Sequence, residues 1–332
     1  MLEIKNLTVG LKKDKKILKA LDNVSFKINE SEILGLAGES GCGKSLSALA
    51  ITNLLPEGFK FLNGEIIFKN KSLTEASEKE LCGIRGKEIS IIFQDARQAL
   101  NPLMKVGKQI SEMLEQITDN KEQKNNKKRR EDYKKQVLEI LAALGFEEPS
   151  LIYEAYPHQL SGGMCQKVMT AIAAISKPSL LIADEPSSAL DEESQNSVLS
   201  LLMDLNRNFK TSLLIISHDI SIIRKYCSRF LIMYAGKIIE EGPAQELQAP
   251  LHPYTNALIG AIPAKEKRGQ PLQNIPGKVP AIEDNFSGCP FAPRCNKAQN
   301  VCFESFPPAL ETEKARRVYC YFPITAEGNN IE

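Results

Sequence analysis

The chain has 332 residues, a length typical of about two domains. Hydrophobic residues make up 42% of it and charged residues 25%, which excludes an intrinsically disordered chain. The 42 Lys and Arg balance 41 Asp and Glu, so no strong overall field favours nucleic acid or an anionic membrane as a partner. No apolar run reaches the roughly 18 residues of a spanning helix, and the N-terminus has no signal-peptide core. These features predict a cytoplasmic protein.

Strand-like apolar segments open the chain. The segments Leu2–Ile4, Val24–Ile28 and Ile33–Ala37 predict strands, and a helix is predicted from Lys44, after a glycine-rich turn. A further strand is predicted at Ile89–Phe93, and helices are predicted in the region 107–145.

The charge run Lys121–Lys135 interrupts this helical region with eight Lys or Arg and three acidic residues. A basic run can bind nucleic acid, but Tyr133 is its one aromatic residue, which leaves little on which bases stack. We therefore interpret the run as a solvated helical face or an exposed loop.

From about residue 160, helices and strands alternate. This pattern predicts parallel strands joined by helical crossovers. The predicted elements are a helix at 163–176, a strand at 179–184, a helix at 192–208, and strands at 212–216 and 229–234.

A phosphate-binding pattern follows the third predicted strand. Gly38-Glu39-Ser40-Gly41-Cys42-Gly43-Lys44-Ser45, with Leu46 next, fits G-x-x-x-x-G-K-[ST]. Small residues let successive N–H groups face phosphate oxygens, and the following helix adds the positive end of its dipole. In this pattern the lysine reaches the β- and γ-phosphates and the Ser45 hydroxyl binds Mg²⁺.

Two adjacent carboxylates end the strand predicted at 179–184. Asp184 and Glu185 follow Leu180-Leu181-Ile182-Ala183, and buried carboxylates need partners. At the mouth of a parallel sheet, Asp184 can hold Mg²⁺ and Glu185 can orient and polarise the attacking water.

Four further segments occur in the order typical of ATP-binding cassette (ABC) ATPases. They are the signature-like segment Leu160-Ser161-Gly162-Gly163-Met164-Cys165-Gln166, a Q-loop at Ile92-Phe93-Gln94-Asp95, a D-loop at Ser188-Ala189-Leu190-Asp191, and a switch histidine, His218. With the phosphate loop and the carboxylates, the chain resembles this family.

The resemblance implies an α/β fold with a P-loop ABC-type nucleotide-binding domain. That domain comprises an antiparallel β subdomain, a RecA-like parallel-sheet core and a helical subdomain at about 95–165, all within residues 1–263. A small extension rich in proline and cysteine would occupy residues 264–332. The implied enzyme is an ATPase in which Glu185 is the general base, His218 and Lys44 stabilise the transferring phosphoryl group, and Gln94 senses Mg²⁺ and the attacking water.

The resemblance also assigns residues to ATP. Those on the phosphate loop are Gly38, Glu39, Ser40, Gly41, Cys42, Gly43, Lys44, Ser45 and Leu46. Gln94, Asp184 and Asp191 complete the same site, with Mg²⁺ held by Ser45, Gln94 and Asp184. Ser161, Gly162 and Gly163 would cover the ATP of a second cassette packed head to tail.

One departure from the family concerns adenine. The family usually has an aromatic residue in the N-terminal strand region to stack on the base, whereas this chain has Leu7-Thr8-Val9-Gly10-Leu11-Lys12 and its first aromatic is Phe26. Leu11 can pack on the base, but the stacking contribution is expected to be lost.

Four cysteines crowd the end of the chain. Cys289, Cys295, Cys302 and Cys320 are spaced C-x5-C-x6-C-x17-C, and in a cytosolic chain such a cluster favours a metal or iron–sulfur site over disulfides. Thiolate-only ligation suits both Zn²⁺ and iron–sulfur, so the spacing leaves both open. Together with Leu251-His252-Pro253-Tyr254-Thr255, the tail resembles the extension of oligopeptide/dipeptide importer ATPases, which implies a [4Fe–4S] cluster with zinc as the alternative.

These resemblances predict the energy-coupling subunit of a di- or oligopeptide importer at the cytoplasmic face of the cell membrane. The expected partners are two transmembrane permease subunits, a second related ATPase or a second copy of this chain, and indirectly an extracytoplasmic substrate-binding protein. No nucleic-acid partner is expected. The alternatives are an importer for nickel or another small solute, and a soluble ABC ATPase that acts on nucleic acid. The choice of solute is expected to lie in the partner subunits.

Overall fold

The structure is a computed structural model that describes residues 1–14, 16–117, 127–188, 190–261, 275–284, 286–312 and 315–324. The chain divides into two compact units, a first unit of residues 1–29, 33–75 and 216–332 and a second unit of residues 30–32 and 76–215. In the part of the chain that is described, no helix combines the length and the apolar character needed to cross a membrane.

The strands are β1 (Leu2–Lys13), β2 (Lys16–Ile28), β3 (Ile33–Ala37), β4 (Phe59–Phe68), β5 (Lys71–Ser72), β6 (Ile89–Ile92), β7 (Leu180–Asp184), β8 (Ser212–Ile216), β9 (Arg229–Tyr234), β10 (Lys237–Pro243), β11 (Ala309–Thr312) and β12 (Arg316–Tyr319). The α-helices are α1 (Lys44–Ile51), α2 (Glu78–Ile84), α3 (Ala96–Ala99), α4 (Val106–Ile117), α5 (Lys127–Ala143), α6 (Pro149–Glu154), α7 (Gly162–Ala174), α8 (Glu192–Phe209), α9 (Ile220–Tyr226), α10 (Pro253–Gly260) and α11 (Asn300–Glu304).

The first unit contains an antiparallel sheet with strand order β2-β1-β4-β5. Leu2 of β1 pairs with Ile28 on one side and with Phe68 on the other, and all three side chains are buried. A second group of strands in this unit has the order β11-β12-β10-β9-β3, in which β3 and β9 are parallel. The antiparallel β subdomain and the parallel pairing expected from the sequence are therefore confirmed.

The C-terminal segment shares the core of the first unit. Strand β12 pairs with β10, with Val318 opposite Glu240. Cys289, Phe291 and Cys302 belong to the apolar cluster that also contains residues of β9, α9 and α10. The segment thus contributes both a strand and core side chains to this unit.

The second unit contains the strand order β8-β7-β6, with β6 and β7 parallel and Ile89 paired with Leu180. Helices α2 to α8 belong to the same unit. On α4, Val106, Ile110 and Leu114 are buried at a four-residue spacing, which places them along one face of the helix.

The predicted elements of the second half agree with the structure. The strands predicted at 212–216 and 229–234 coincide with β8 and β9, and the helices predicted at 163–176 and 192–208 match α7 and α8 to within two residues. The region 107–145 forms α4 and α5, while residues 118–126, which hold part of the charge run, lie outside the described residues.

The predicted division into residues 1–263 and 264–332 stays a prediction. Its boundary falls within residues 262–274, which are outside the described part of the chain. The helical subdomain predicted at about 95–165 likewise stays a prediction, and the compact unit that contains it runs from 76 to 215.

Candidate nucleotide site and cysteine cavity

The phosphate loop joins β3 to α1 in the first unit. Gly38 has a φ of 157° and Gly43 a φ of 108°, a region that L side chains rarely adopt. A Cβ on Gly38 would lie 2.2 Å from the Met233 carbonyl oxygen, and one on Gly43 would lie 2.7 Å from a methyl group of Leu21. Only glycine fits these two positions, so the loop keeps a tight turn at the N-terminus of α1.

Lys44 is the first residue of α1 and is 6% exposed. Its ammonium donates to the carbonyl oxygens of Gly38 at 2.8 Å and Glu39 at 2.9 Å. Because neutral oxygens hold the ammonium, it brings a positive charge to the loop, as a phosphate site requires. Burial raises the pKa of the neighbouring Cys42 thiol, although the Lys44 charge opposes this shift, so Cys42 stays protonated at neutral pH.

His218 is exposed in the same unit, just before α9. Asp219 caps this helix by accepting the Ser221 N–H at 2.8 Å, and the Asp219 N–H donates to Ser217 Oγ at 3.0 Å. The Ser217 N–H donates at 3.1 Å to the carbonyl oxygen of Leu36, on the strand that leads into the phosphate loop. These bonds connect the His218 segment to β3.

The two carboxylates lie at the end of β7 in the second unit. Asp184 is the last residue of the strand and is 5% exposed. Glu185 has a φ of 50°, a left-handed conformation that is uncommon outside glycine and that concentrates at functional sites. The Gln94 side-chain amide donates to the Glu185 carboxylate at 3.4 Å. The structure thus brings together two residues that the sequence assigns to the attacking water.

The signature segment begins α7. Ser161 caps this helix by accepting the Met164 N–H at 3.2 Å, and Ser161 and Gly162 are exposed while Gly163 is half-buried. The N-terminus of this 13-residue helix is therefore open to an anion.

The D-loop residue Asp191 caps α8 by accepting the Ser194 N–H and hydroxyl, each at 2.9 Å. The bond from the Ser194 backbone is the main reason that the pKa of Asp191 lies below its usual value. Ala189, in the same loop, lies outside the described residues. Roles of Ser161 and Asp191 toward a nucleotide stay predictions.

The four C-terminal cysteines line one small apolar cavity, together with His252. Burial raises the pKa of Cys289 to about 11 and that of Cys320 to about 12, and the neighbouring cysteines add to both shifts. These thiols are therefore protonated at neutral pH. Within the described residues, no group of three or more His, Cys, Asp or Glu is arranged to hold a metal ion.

His252 is 1% exposed, and burial lowers its pKa to about 3, so the imidazole is neutral. Its Nδ1 accepts the Tyr254 N–H at 3.0 Å and caps α10, which places the ring proton on Nε2. Nε2 is buried and has no hydrogen-bond partner among the residues that the structure describes. His252 thus carries a buried N–H donor, unpaired among these described residues, and lines the same cavity as the four thiols.

Comparisons with known proteins bear on both sites. A model of the ABC transporter family matches residues 21–188, and a model of the oligopeptide/dipeptide transporter C-terminal region matches residues 239–302. The Bacillus subtilis oligopeptide transport ATP-binding protein AppD is 40% identical over 97% of this chain and 96% of its own length. The Haemophilus influenzae dipeptide transport ATP-binding protein DppD is 37% identical over 100% of this chain and 98% of its own.

The chain belongs to the ABC transporter ATP-binding family. Among solved structures, the ATP-binding cassette MJ0796, a dimer in a post-hydrolysis state bound to ADP and Pi, matches with a TM-score of 0.66 and 29% identity. The match covers 74% of this chain and 99% of that cassette. As a member of the family, the chain is a transport ATPase with the P-loop α/β fold.

Three residues of this ABC ATPase near the two sites were not predicted from the sequence to have a role. Tyr254 and Arg294 both contact Glu39 of the phosphate loop, at separations of 215 and 255 residues along the chain. His252 lines the cysteine cavity. The position of Arg294 between two of the cysteines could have indicated a role from the sequence. Its partner Glu39 could not have been predicted, because contacts over such separations depend on the tertiary fold. Leu11, the residue that the sequence offers for packing on adenine, lies on β1 and is half-buried, and its contact with the base stays a prediction.

Proposed function

We propose that this chain is the ATP-hydrolysing, energy-coupling subunit of an importer for di- or oligopeptides, bound at the cytoplasmic face of the cell membrane. The observation that carries this proposal is the match of a peptide-transporter C-terminal region to residues 239–302, on the C-terminal side of the ABC transporter match at 21–188. Curated relatives named for oligopeptide or dipeptide transport align along nearly the whole chain, which supports it.

Within the cassette, Lys44 binds the β- and γ-phosphates and Glu185 takes the proton of the attacking water. His218 stabilises charge on the transferring phosphoryl group, and Gln94 orients the water together with Glu185. The hydrogen bond between Gln94 and Glu185 supports this assignment of the last two residues.

Mg²⁺ fits the oxygen donors that this chain offers. The Ser45 hydroxyl, the Gln94 side-chain oxygen and the Asp184 carboxylate are hard oxygen ligands of the kind that this ion prefers. When bound, Mg²⁺ neutralises phosphate charge.

A second cassette completes the enzyme. The exposed Ser161 and Gly162, with Gly163, bind the γ-phosphate of ATP held by the partner, and ATP thereby closes the dimer. Closure is transmitted to two permease subunits, while a substrate-binding protein outside the membrane delivers the peptide. The partner cassette is a related ATPase or a second copy of this chain.

Affinity isolation of the full chain from gently solubilised native membranes tests this function. We expect mass spectrometry to recover two multi-span permeases, a second cassette ATPase and a peptide-binding protein. Membranes that contain a tagged unrelated importer provide the control for solubilisation. Recovery of soluble proteins or nucleic acid alone, while the control importer stays assembled, would contradict the proposal. After the recovered assembly is reconstituted into sealed vesicles, uptake of labelled nickel instead of labelled peptide would favour the small-solute importer.

We further propose that Cys289, Cys295, Cys302 and Cys320 hold a [4Fe–4S] cluster. The four side chains line one apolar cavity together with His252, and their donor set consists of sulfur alone, which is the ligand set of an iron–sulfur cluster. The chemistry of this donor set suits the group, although the structure does not bring three of the described side chains into a metal-holding arrangement. When bound, the cluster would cross-link separate parts of the C-terminal segment and thereby stabilise its packing on the first unit.

Replacing Cys289 with serine tests the cluster. We expect the chain, purified without oxygen, to contain iron and acid-labile sulfide with visible absorbance, and we expect Cys289→Ser to contain much less of both, because one thiolate ligand is lost. Cys82→Ser is the matched control, because Cys82 is exposed in the second unit, and this variant should keep its iron. If the unmodified chain contains zinc and no sulfide, the site is a zinc site and the cluster proposal is wrong. Absence of both iron and zinc would refute the metal site.

A further inference from the structure

Arg294 binds the phosphate loop from within the cysteine segment. It precedes Cys295 directly and follows Cys289 by five residues, and its side chain is 5% exposed. The guanidinium donates to both carboxylate oxygens of Glu39, at 2.8 and 3.1 Å. The other acceptors of this guanidinium are Tyr234 Oη at 3.0 Å and the carbonyl oxygens of Pro276 at 2.7 Å and Ile275 at 3.3 Å.

All five N–H donors of the guanidinium are thus used. Nε donates once, while each terminal nitrogen donates once to Glu39 and once elsewhere. A lysine has only three donors on one nitrogen and cannot form this set. The geometry therefore requires arginine for fixing the position of the Glu39 side chain.

The aromatic residues around Arg294 make a second connection to the same loop residue. Phe291, also between the two cysteines, has its ring centroid 5.4 Å from that of Tyr234 and 5.3 Å from that of Tyr254. Tyr254 Oη accepts the Glu39 N–H at 2.7 Å. The backbone and the side chain of Glu39 are therefore both held by groups that pack against the cysteine segment.

The charge of Glu39 gives this contact a consequence for nucleotide binding. A carboxylate in a phosphate-binding loop repels the anionic ligand, unless a cation neutralises it. Arg294 supplies that cation, since a guanidinium stays protonated at all physiological pH values. It also holds the carboxylate in one place. The positive charge of Lys44 therefore acts on the phosphates without being opposed by the negative charge of Glu39.

We propose that Arg294 is a positioning residue through which the cysteine segment controls nucleotide affinity at the phosphate loop. The proposal rests on the proposed function of that loop. Disturbing the cysteine segment displaces Arg294, exposes the charge of Glu39 and weakens nucleotide binding.

The test is a double-mutant cycle on the full chain, with the affinity for a non-hydrolysable ATP analogue measured by calorimetry in the presence of Mg²⁺. We expect Arg294→Ala to weaken binding by about 10- to 100-fold, because the Glu39 carboxylate then repels the nucleotide phosphates without a compensating charge. In a Glu39→Gln background the same substitution should change affinity by less than about threefold, because the charge to be neutralised is gone. In the unmodified background, Arg294→Lys should weaken binding of the analogue less than Arg294→Ala does, since lysine keeps the charge but loses the paired hydrogen bonds to Glu39.

Equal losses on Arg294→Ala in both backgrounds would overturn the proposal, since the residue would then act on the fold and not through Glu39. Unchanged denaturation midpoints in the two Arg294→Ala variants exclude simple unfolding as the cause. If the unmodified chain itself does not bind the analogue, the proposed nucleotide site fails instead, so the two failures are distinguishable.

A separate experiment tests whether the cysteine segment acts on the phosphate loop through Arg294. Cys295→Ser should weaken binding of the analogue in the unmodified background and leave it unchanged in the Arg294→Ala/Glu39→Gln background. Cys82→Ser, on an exposed helix of the second unit, is the matched control and should not affect binding in either background. Equal effects of Cys295→Ser in the two backgrounds would overturn transmission through Arg294.

Discussion

Replacing Glu185 with glutamine is expected to reduce kcat for ATP hydrolysis by about 10²- to 10⁴-fold, the range typical of a lost general base. Glutamine has nearly the same shape but cannot accept the proton of the attacking water. Because the phosphate loop is unchanged, the affinity for ATP should be retained. Phosphate release at saturating ATP and direct binding of ATP measure the two quantities in the assembled transporter.

A matched control for this substitution is Glu139→Gln, because Glu139 is an exposed carboxylate on α5 of the same unit. It should leave both hydrolysis and peptide uptake unchanged, whereas Glu185→Gln should abolish uptake along with hydrolysis. Wild-type turnover in Glu185→Gln would remove this residue from the role of general base. The left-handed backbone at Glu185 and its hydrogen bond from Gln94 are the structural reasons for selecting it over Asp184.

Replacing Arg316 with alanine is expected to lower the free energy of unfolding by about 3–5 kcal/mol, the effect of breaking a buried ion pair from one side. Arg316 donates to Glu240 at 2.6 Å, and the two side chains are 4% and 0% exposed. Glu240 also accepts the N–H groups of Leu251 and His252, each at 2.9 Å. In the variant, the Glu240 carboxylate would stay buried without the positive charge of Arg316 to compensate it. Urea denaturation of the full chain measures the loss.

The neighbouring Arg317 provides the control. It lies on the same strand and pairs with Glu241 and Glu311, but its side chain is 38% exposed, so Arg317→Ala should cost no more than about 1 kcal/mol. Comparable losses for the two arginines would show that burial of the Arg316 pair contributes nothing. A partial recovery in Arg316→Met/Glu240→Gln would confirm that the uncompensated charge causes the loss, since this pair removes both charges and keeps an acceptor oxygen.

Much of the fold could be predicted because its local patterns are strong. The strand Ile33–Ala37 is a continuous apolar run that ends at glycine, and the structure gives β3 the same bounds. The sequence predicted parallel strands joined by helical crossovers, but it did not predict that β3 pairs with β9. The full lengths of β1 and β2 were not predicted, because their polar stretches carry no strand pattern and are held by antiparallel pairing with each other.

The candidate site shows the same division. The glycine pattern from Gly38 to Gly43 predicted the phosphate loop, because the required left-handed backbone restricts the residue type locally. Resemblance to a family assigned Gln94 and Glu185 to the same attacking water, but the hydrogen bond between them is known only from the structure. The partners of Glu39 were missed altogether, since no local pattern connects Glu39 with Arg294 or Tyr254.

The sequence by itself determined the order of the motifs, the chemistry of the phosphate loop and the presence of four thiols in one terminal segment. Those features depend on residue type and short spacing, which the chain states directly. Only the tertiary structure decided that the four cysteines line one cavity with His252 and that the segment between two of them binds the phosphate loop. The reason is physical: such contacts arise from the packing of Phe291 on Tyr234 and Tyr254, and side chains far apart in the chain meet only when a shared core brings them together.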